Sequence, residues 1–162
     1  MLGAYESHPD LPFGIVAPHR GSRLLPRQLR RHYSVVERAA IVNAYWRRHQ
    51  LSTSLDRTAR EDTIADDWAV DMVDRLVAEG DQTVVELLCS LADSAPDDYA
   101  LARLGAGPIE NLLDSHASLF GDAIDAAART NLNFRTALRC ALFDNHIAPE
   151  IATRLRRFGA PL

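Results

Sequence analysis

The run of residues 63–80 constrains this chain more than any other, because it reads as one amphipathic helix with a stop signal at each end. Thr63 offers a hydroxyl suited to the free amides of a helix start, and Gly80 takes readily to the left-handed backbone that ends one. At 100° per residue, Trp68, Val70, Met72, Val73, Leu76 and Val77 fill a wide apolar arc, while Asp67, Asp71 and Asp74 share the opposite face. The same period recurs on both sides. Ser34 and Glu37 stand at the S-x-x-E spacing of a capping box and open a helix that runs through Ile41, Tyr45 and Trp46 to about His49. Asp81 opens a third helix with Val84, Val85, Leu87, Leu88 and Leu91 inward, and a short fourth ends at Leu104. Further helices are expected over 108–117, 122–130, 134–143 and 149–158. No stretch sustains a two-residue alternation. The expected fold is therefore all-α: one domain, 34–162, of seven to eight short, mostly antiparallel helices. The paired helices after residue 63 resemble helical-repeat packing, although no fixed sequence period accompanies them.

Residues 1–33 stand apart as an extended arm. Four of the eight prolines and three glycines fall in its first 26 residues, a density that breaks helices and strands alike. At 162 residues the chain can bury a core without disulfides or metal. It has no apolar run of membrane-spanning length and no secretion-signal pattern at its start, so a cytoplasmic protein without a membrane partner is expected. Cys89 and Cys140 belong to no paired motif and read as small hydrophobes in a reducing compartment.

Charge is segregated along the chain. Residues 1–60 carry ten arginines against four acids, a balance of +6; residues 61–125 carry two against sixteen, or −14; residues 126–162 carry six against two, or +4. An acidic middle between basic ends has two readings: the ends fold back on the middle, or the protein presents two surfaces of opposite sign to partners.

Within 104–113, the run Leu-Gly-Ala-Gly-Pro-Ile-Glu-Asn-Leu-Leu looks most like a site. A phosphate-binding Walker loop needs a lysine, and the chain has none; a dinucleotide fingerprint needs a third glycine where Asn111 stands, and a preceding strand. The run reads instead as a corner between two helices. Gly105 would end one in the left-handed conformation, Gly107 and Pro108 would begin the next, and Glu110 would face the positive end of its dipole. His116 falls on the same stripe as Ile109, Leu112 and Leu113, where a hydrogen-bonded core histidine is the commoner outcome and a ligand or base the rarer one. No second histidine stands at metal spacing from it, so neither a metal nor a cofactor is expected. Asp66, Asp67, Asp71 and Asp74 lack the glycine-bearing loop of a calcium site and read as a solvated helix face, suited electrostatically to a basic partner. Arg30, Arg31, Arg47 and Arg48, interleaved with Tyr33, Tyr45 and Trp46, form the basic and aromatic mixture that nucleic-acid surfaces use.

The 105–113 run, with Ala44-Tyr45-Trp46, Asp67-Trp68, Ala128-Arg129 and Phe134-Arg135, resembles a bacterial all-helical family of unknown function with a Gly-Ala-Gly-Pro-Leu-Glu-Asp-Leu-Leu signature. The likeness spans roughly residues 34–145, and Ile109 and Asn111 depart from the signature. It implies the fold and no activity. Small helical proteins of this kind look like immunity or antitoxin partners, an association only. The leading expectation is a non-enzymatic module that binds a basic protein through Asp67, Asp71, Asp74 and Glu110. Nucleic-acid binding through Arg30, Arg31, Arg47 and Arg48 is the second reading, and an enzyme with a pocket near His116 and Glu110 the third. Oligomeric state is not legible.

Overall fold

The computed structural model describes residues 33–52, 63–142 and 147–159. The expected arm, 1–33, lies outside that range except for Tyr33. All regular structure among the described residues is helical, and no described helix is long and apolar enough to cross a membrane. Helix α1 (Val35–Ser52) is followed by a 3₁₀ turn (Thr63–Asp66) that runs into α2 (Asp67–Glu79). Helices α3 (Val84–Asp93) and α4 (Asp98–Leu104) come next. A π-helical segment (Gly105–Ile109) leads into α5 (Glu110–Thr130), followed by α6 (Leu132–Leu138) and α7 (Pro149–Arg156). Because α4, the π segment and α5 follow one another without a gap over 98–130, the described residues form six helical stretches, the longest of them kinked at His116.

Local chemistry explains the ends. The Ser34 amide donates to Glu37 Oε2 at 2.8 Å while the Glu37 amide donates to Ser34 Oγ at 3.2 Å, which is the capping box the spacing predicts. Gly80 closes α2 at φ 63°, ψ 45°, and its amide donates to the carbonyls of Leu76 and Val77. Asp97 and Asn131 start α4 and α6 by accepting from the amides of Ala100 at 2.7 Å and Phe134 at 2.8 Å. Asn131 also donates to Asp93 Oδ1 at 2.9 Å, which fastens the start of α6 to the end of α3.

Helix α3 occupies the middle, in contact with α1, α2, α4, α5 and α6. Six of its ten residues are buried (Val84, Val85, Leu87, Leu88, Leu91 and Ala92), as a helix surrounded by others requires. Helix α2 is different. Its buried stripe is Ala69, Val73, Leu76 and Val77, while Trp68, expected inward, is 45% exposed. A helix covered on one side buries only about a 100° arc, and the apolar arc here is wider than that.

The corner expected at 105–109 is not a corner. Gly105 has φ −67°, ψ −57°, an ordinary right-handed helical backbone, and the chain passes straight through. Pro108 sits inside this helix, where its ring would strike the carbonyl four residues back in an α register. The π register relieves that conflict: the Glu110 amide reaches back to the carbonyl of Gly105. Gly105 is needed for another reason. A Cβ there would lie 2.0 Å from the Ala137 carbonyl oxygen of α6, so the two backbones meet where a side chain would stand. A Cβ on Gly107 would meet nothing within 4 Å. The break expected between 117 and 122 falls one residue earlier, as a kink between two helical runs at His116. Gly121 lies within α5, where it admits the Ile151 side chain of α7 (Cγ2 3.0 Å from a notional Cβ). The helix bends instead at His116, whose φ −140°, ψ 25° departs from helical values.

These contacts separate the two glycines by experiment. Gly105→Ala should lower unfolding free energy by about 1–3 kcal/mol or more, as overpacking against a rigid carbonyl does. Gly107→Ala should be neutral or stabilise by up to about 1 kcal/mol through helix propensity. Chemical denaturation of both variants checks the pair.

Candidate functional site

The sequence places its strongest positive and negative candidates on different helices, and the fold puts them in contact with each other. Arg47, on α1, donates from Nε to Asp66 Oδ2 at 3.0 Å and from Nη2 to Asp66 Oδ1 at 2.7 Å, a bidentate pair. Its neighbour Arg48 pairs with Asp67. Arg38 reaches Glu86 on α3 at 2.9 Å. At the other end Arg154 pairs with Asp122 at 2.6 Å, and Arg129 (3.0 Å) and Arg157 both pair with Asp125. Each of these ion pairs joins an arginine from a basic end to an acid of the middle segment.

The placement of the predicted site residues follows. Asp67 is engaged by Arg48, whereas Asp71 and Asp74 stay exposed with no ion pair among the described residues. Glu110 faces elsewhere, accepting from the Leu142 amide at 2.8 Å and holding the chain that leaves α6. His116 is half-buried and its Nε2 lies 3.0 Å from the Ala78 carbonyl, with the imidazole packed over Gly80. It secures the C-terminal end of α2, so Glu110 and His116 engage different elements and do not converge on one pocket. Arg30 and Arg31 lie outside the described residues. Among those described, no group of three or more histidine, cysteine or acidic side chains is placed to hold a metal. Both cysteines are free and half-buried, and burial, with Asp93 and Glu86 adding to it, pushes the Cys89 thiol up to about 11.

A cleft lies where α1 and α4 both lean on α3 and diverge. Trp46 is pinned by its indole N–H to the Leu91 carbonyl at 3.0 Å and stacks edge-on with Tyr45. His49, one turn on, packs against both rings, with centroids 4.5 Å and 5.8 Å away. Across the gap, Arg103 of α4 sits 5.9 Å from the centroid of Tyr99. Two adjoining cavities share His49 and Arg103. One, of about 170 Å³, extends toward Trp46, Pro96 and Tyr99. The other, of about 420 Å³, extends toward Arg48, Asp67 and Asp71. Burial, reinforced by the charges of Arg103 and Arg48, pushes the His49 imidazole down from its usual 6.5 to about 4, so it is neutral at pH 7. Around the helix from Asp71 and outside both cavities, the Asp74 carboxyl is raised above its ordinary range by burial and then by Asp71. Burial in the core beside the cleft raises the Tyr45 hydroxyl, and the Asp74 charge adds to it.

With this geometry established, the chain can be placed. It belongs to DUF6869, a family of unknown function. The family match covers residues 56–160, later at both ends than the 34–145 expected from the signature. It takes in α7 and leaves out all of α1. Asp67, Asp71, Tyr99 and Arg103 therefore lie within the family's span, while Trp46 and His49 come from outside it. No curated protein and no solved structure matches the chain.

Sequence reasoning overlooked His49, Tyr99 and Arg103. The faint signal was spacing: Trp46 with His49, and Tyr99 with Arg103, stand one helical turn apart. That the two pairs face each other across one cleft has no local trace.

Two titrations test the electrostatics. Hydrogen bonds from Arg47 hold the Asp66 carboxyl below its ordinary range; at Asp125 burial raises the carboxyl, and Arg157 and Arg129 more than offset it. Stability from depressed carboxylates is present at neutral pH and lost as pH falls through their folded values, so unfolding should become easier below about pH 4. Asp66→Asn should flatten that acid limb. His49 acts at higher pH. An imidazole that resists protonation when folded lets the unfolded chain bind protons first, so stability should already decline from about pH 6.5 toward 4. His49→Gln should abolish this earlier decline in a series of thermal melts.

Proposed function

We propose that this protein is a non-enzymatic recognition module, with an immunity-like or antitoxin-like partner role, that binds a basic segment of another protein along the outer side of α2. The observation that carries this reading is a single exposed stripe. Ile64, Trp68, Asp71 and Arg75 follow one another at spacings of four, three and four residues, and all are exposed, Ile64 by 67% and Trp68 by 45%. At 100° per residue Trp68, Asp71 and Arg75 fall within about 60° of each other, and Ile64 lies in the 3₁₀ turn that leads into them. An exposed tryptophan beside an isoleucine and a carboxylate has the composition of an interface hot spot, where aromatic and arginine anchors dominate binding. Asp74, around the helix from Asp71, adds a second carboxylate with no cation partner among the described residues. Like-charge repulsion between the two is relieved by a cationic partner, which supports the sign assigned to it.

Of the acidic residues first expected to bind, this reading keeps Asp71 and Asp74. It sets aside Asp67 and Glu110, whose carboxylates are engaged internally. It is favoured over phosphate binding because Arg47 and Arg48, the described half of the basic candidate, already hold carboxylates. A photo-crosslinker at position 68, compared with one at exposed Leu119, should capture a partner from the native cell only at position 68. Capture should fall steeply between low and high salt and be reduced about tenfold or more by Asp71→Asn with Asp74→Asn, since steering by exposed charges is screened. Equal capture at both positions, or indifference to salt and to both substitutions, overturns the reading.

A further inference from the structure

The cleft between α1 and α4 has features that the outer stripe of α2 does not use. Its smaller compartment, about 170 Å³, is walled by Trp46, Pro96, Tyr99 and Ala100. A cavity of about 150 Å³ is enough for one benzene ring. Tyr99 is 63% exposed, a large ring set at the edge of this space without a core to cover it. The larger compartment joins the smaller at His49 and Arg103. The charged groups on the shared wall divide clearly. Arg48 is paired with Asp67, and the Asp97 carboxylate accepts from the Ala100 amide at 2.7 Å. Arg103 has no carboxylate partner among the described residues, and its guanidinium stands by the Tyr99 ring. The remaining acid on the wall is Asp71, in the larger compartment.

We propose that this cleft binds a small organic anion built on one planar ring, with the ring against Trp46 and Tyr99 and the anionic group on Arg103. The ring fits the volume and the aromatic walls; the anion supplies the carboxylate or phosphate that a planar guanidinium recognises through paired N–H donors. A cationic ligand is disfavoured at the same point, because Arg103 and Arg48 both project positive charge onto His49 between the compartments. Asp71 opposes the anion and so limits affinity rather than providing it.

Ligand-observed and protein-observed NMR on the full chain tests this with three probes: phenylacetate, uridine 5′-monophosphate and neutral benzyl alcohol. At least one of the two anions should bind with a sub-millimolar to low-millimolar Kd, and which one binds identifies the anionic group. Benzyl alcohol should bind about tenfold more weakly or worse, since it lacks the charge-assisted contact. Arg103→Gln should weaken the anion about tenfold or more, and Asp71→Asn should tighten it. Arg103 is exposed, so Arg103→Gln should keep the wild-type melting temperature. Should it not, ligand-induced shifts on the wild-type protein decide the matter: they should centre on the Trp46 indole and Tyr99. The proposal is overturned if neither anion binds up to about 5 mM, if the neutral ring binds as well as the anion, if a folded Arg103→Gln variant binds unchanged, or if the shifts lie away from Trp46 and Tyr99. Photo-crosslinking at position 68 does not depend on any of these outcomes.

Discussion

Where a side chain at position 105 would stand, the carbonyl of Ala137 already stands, and much of the architecture follows from that contact. It brings the long helical stretch over 98–130 against α6 at backbone distance, closer than two helices with ordinary side chains between them can approach. Three residues on, Pro108 removes one amide and would obstruct an α register, and the segment widens into a π turn rather than breaking. Glu110, immediately after it, accepts the Leu142 amide and ties the far end of α6 to the same point. Together these contacts fix how α4 lies against α6, which itself packs on α3. That in turn sets where Tyr99 and Arg103 face the rings of α1. The glycine-proline run acts on the cleft from a distance by positioning one wall of it.

The charge segregation along the chain resolves into the same economy of contacts. Basic ends and acidic middle meet in ion pairs that link α1 to the start of α2, α1 to α3, and α7 to α5. The exposed pairs, Arg38–Glu86 and Arg154–Asp122, contribute about 0–1 kcal/mol each, while Asp66 and Asp125 are buried carboxylates held by their arginines. Their consequence is selection: once Arg48 has paired with Asp67, the charges left over on the wall of the cleft are few. Asp71, Asp74 and Arg103 become the informative residues because their neighbours have been neutralised within the chain.

Helical class, the capping box at Ser34 and Glu37, and the stop at Gly80 were legible because each rests on contacts between residues a few positions apart. The run at 105–109 misled for a reason of the same kind. Gly-Ala-Gly-Pro is local punctuation for a turn, yet here Gly105 answers to a carbonyl 32 residues away and Gly121 to the Ile151 side chain. A glycine that permits close approach looks identical in sequence to one that permits a left-handed backbone. Trp68 shows the complementary limit. Its hydrophobicity predicts burial, but which part of a wide apolar arc is covered depends on how many neighbours the helix has, and α2 is covered on one side. The paired charges were anticipated as one of two alternatives; which charges pair is set by the fold.

Asp71 connects the two surfaces described here. It lies on the outward stripe with Ile64 and Trp68 and also on the wall of the larger cavity that reaches His49 and Arg103. An occupant of either surface therefore meets the same carboxylate. A basic partner on α2 would neutralise Asp71 and remove the charge that opposes an anion in the cleft. An anion on Arg103 would in turn leave the rim more negative and more attractive to that partner. Linkage requires the two effects to be equal in free energy. On the readings proposed above, one side chain suffices to couple a small ligand to partner binding, with no change of shape demanded of the surrounding helices.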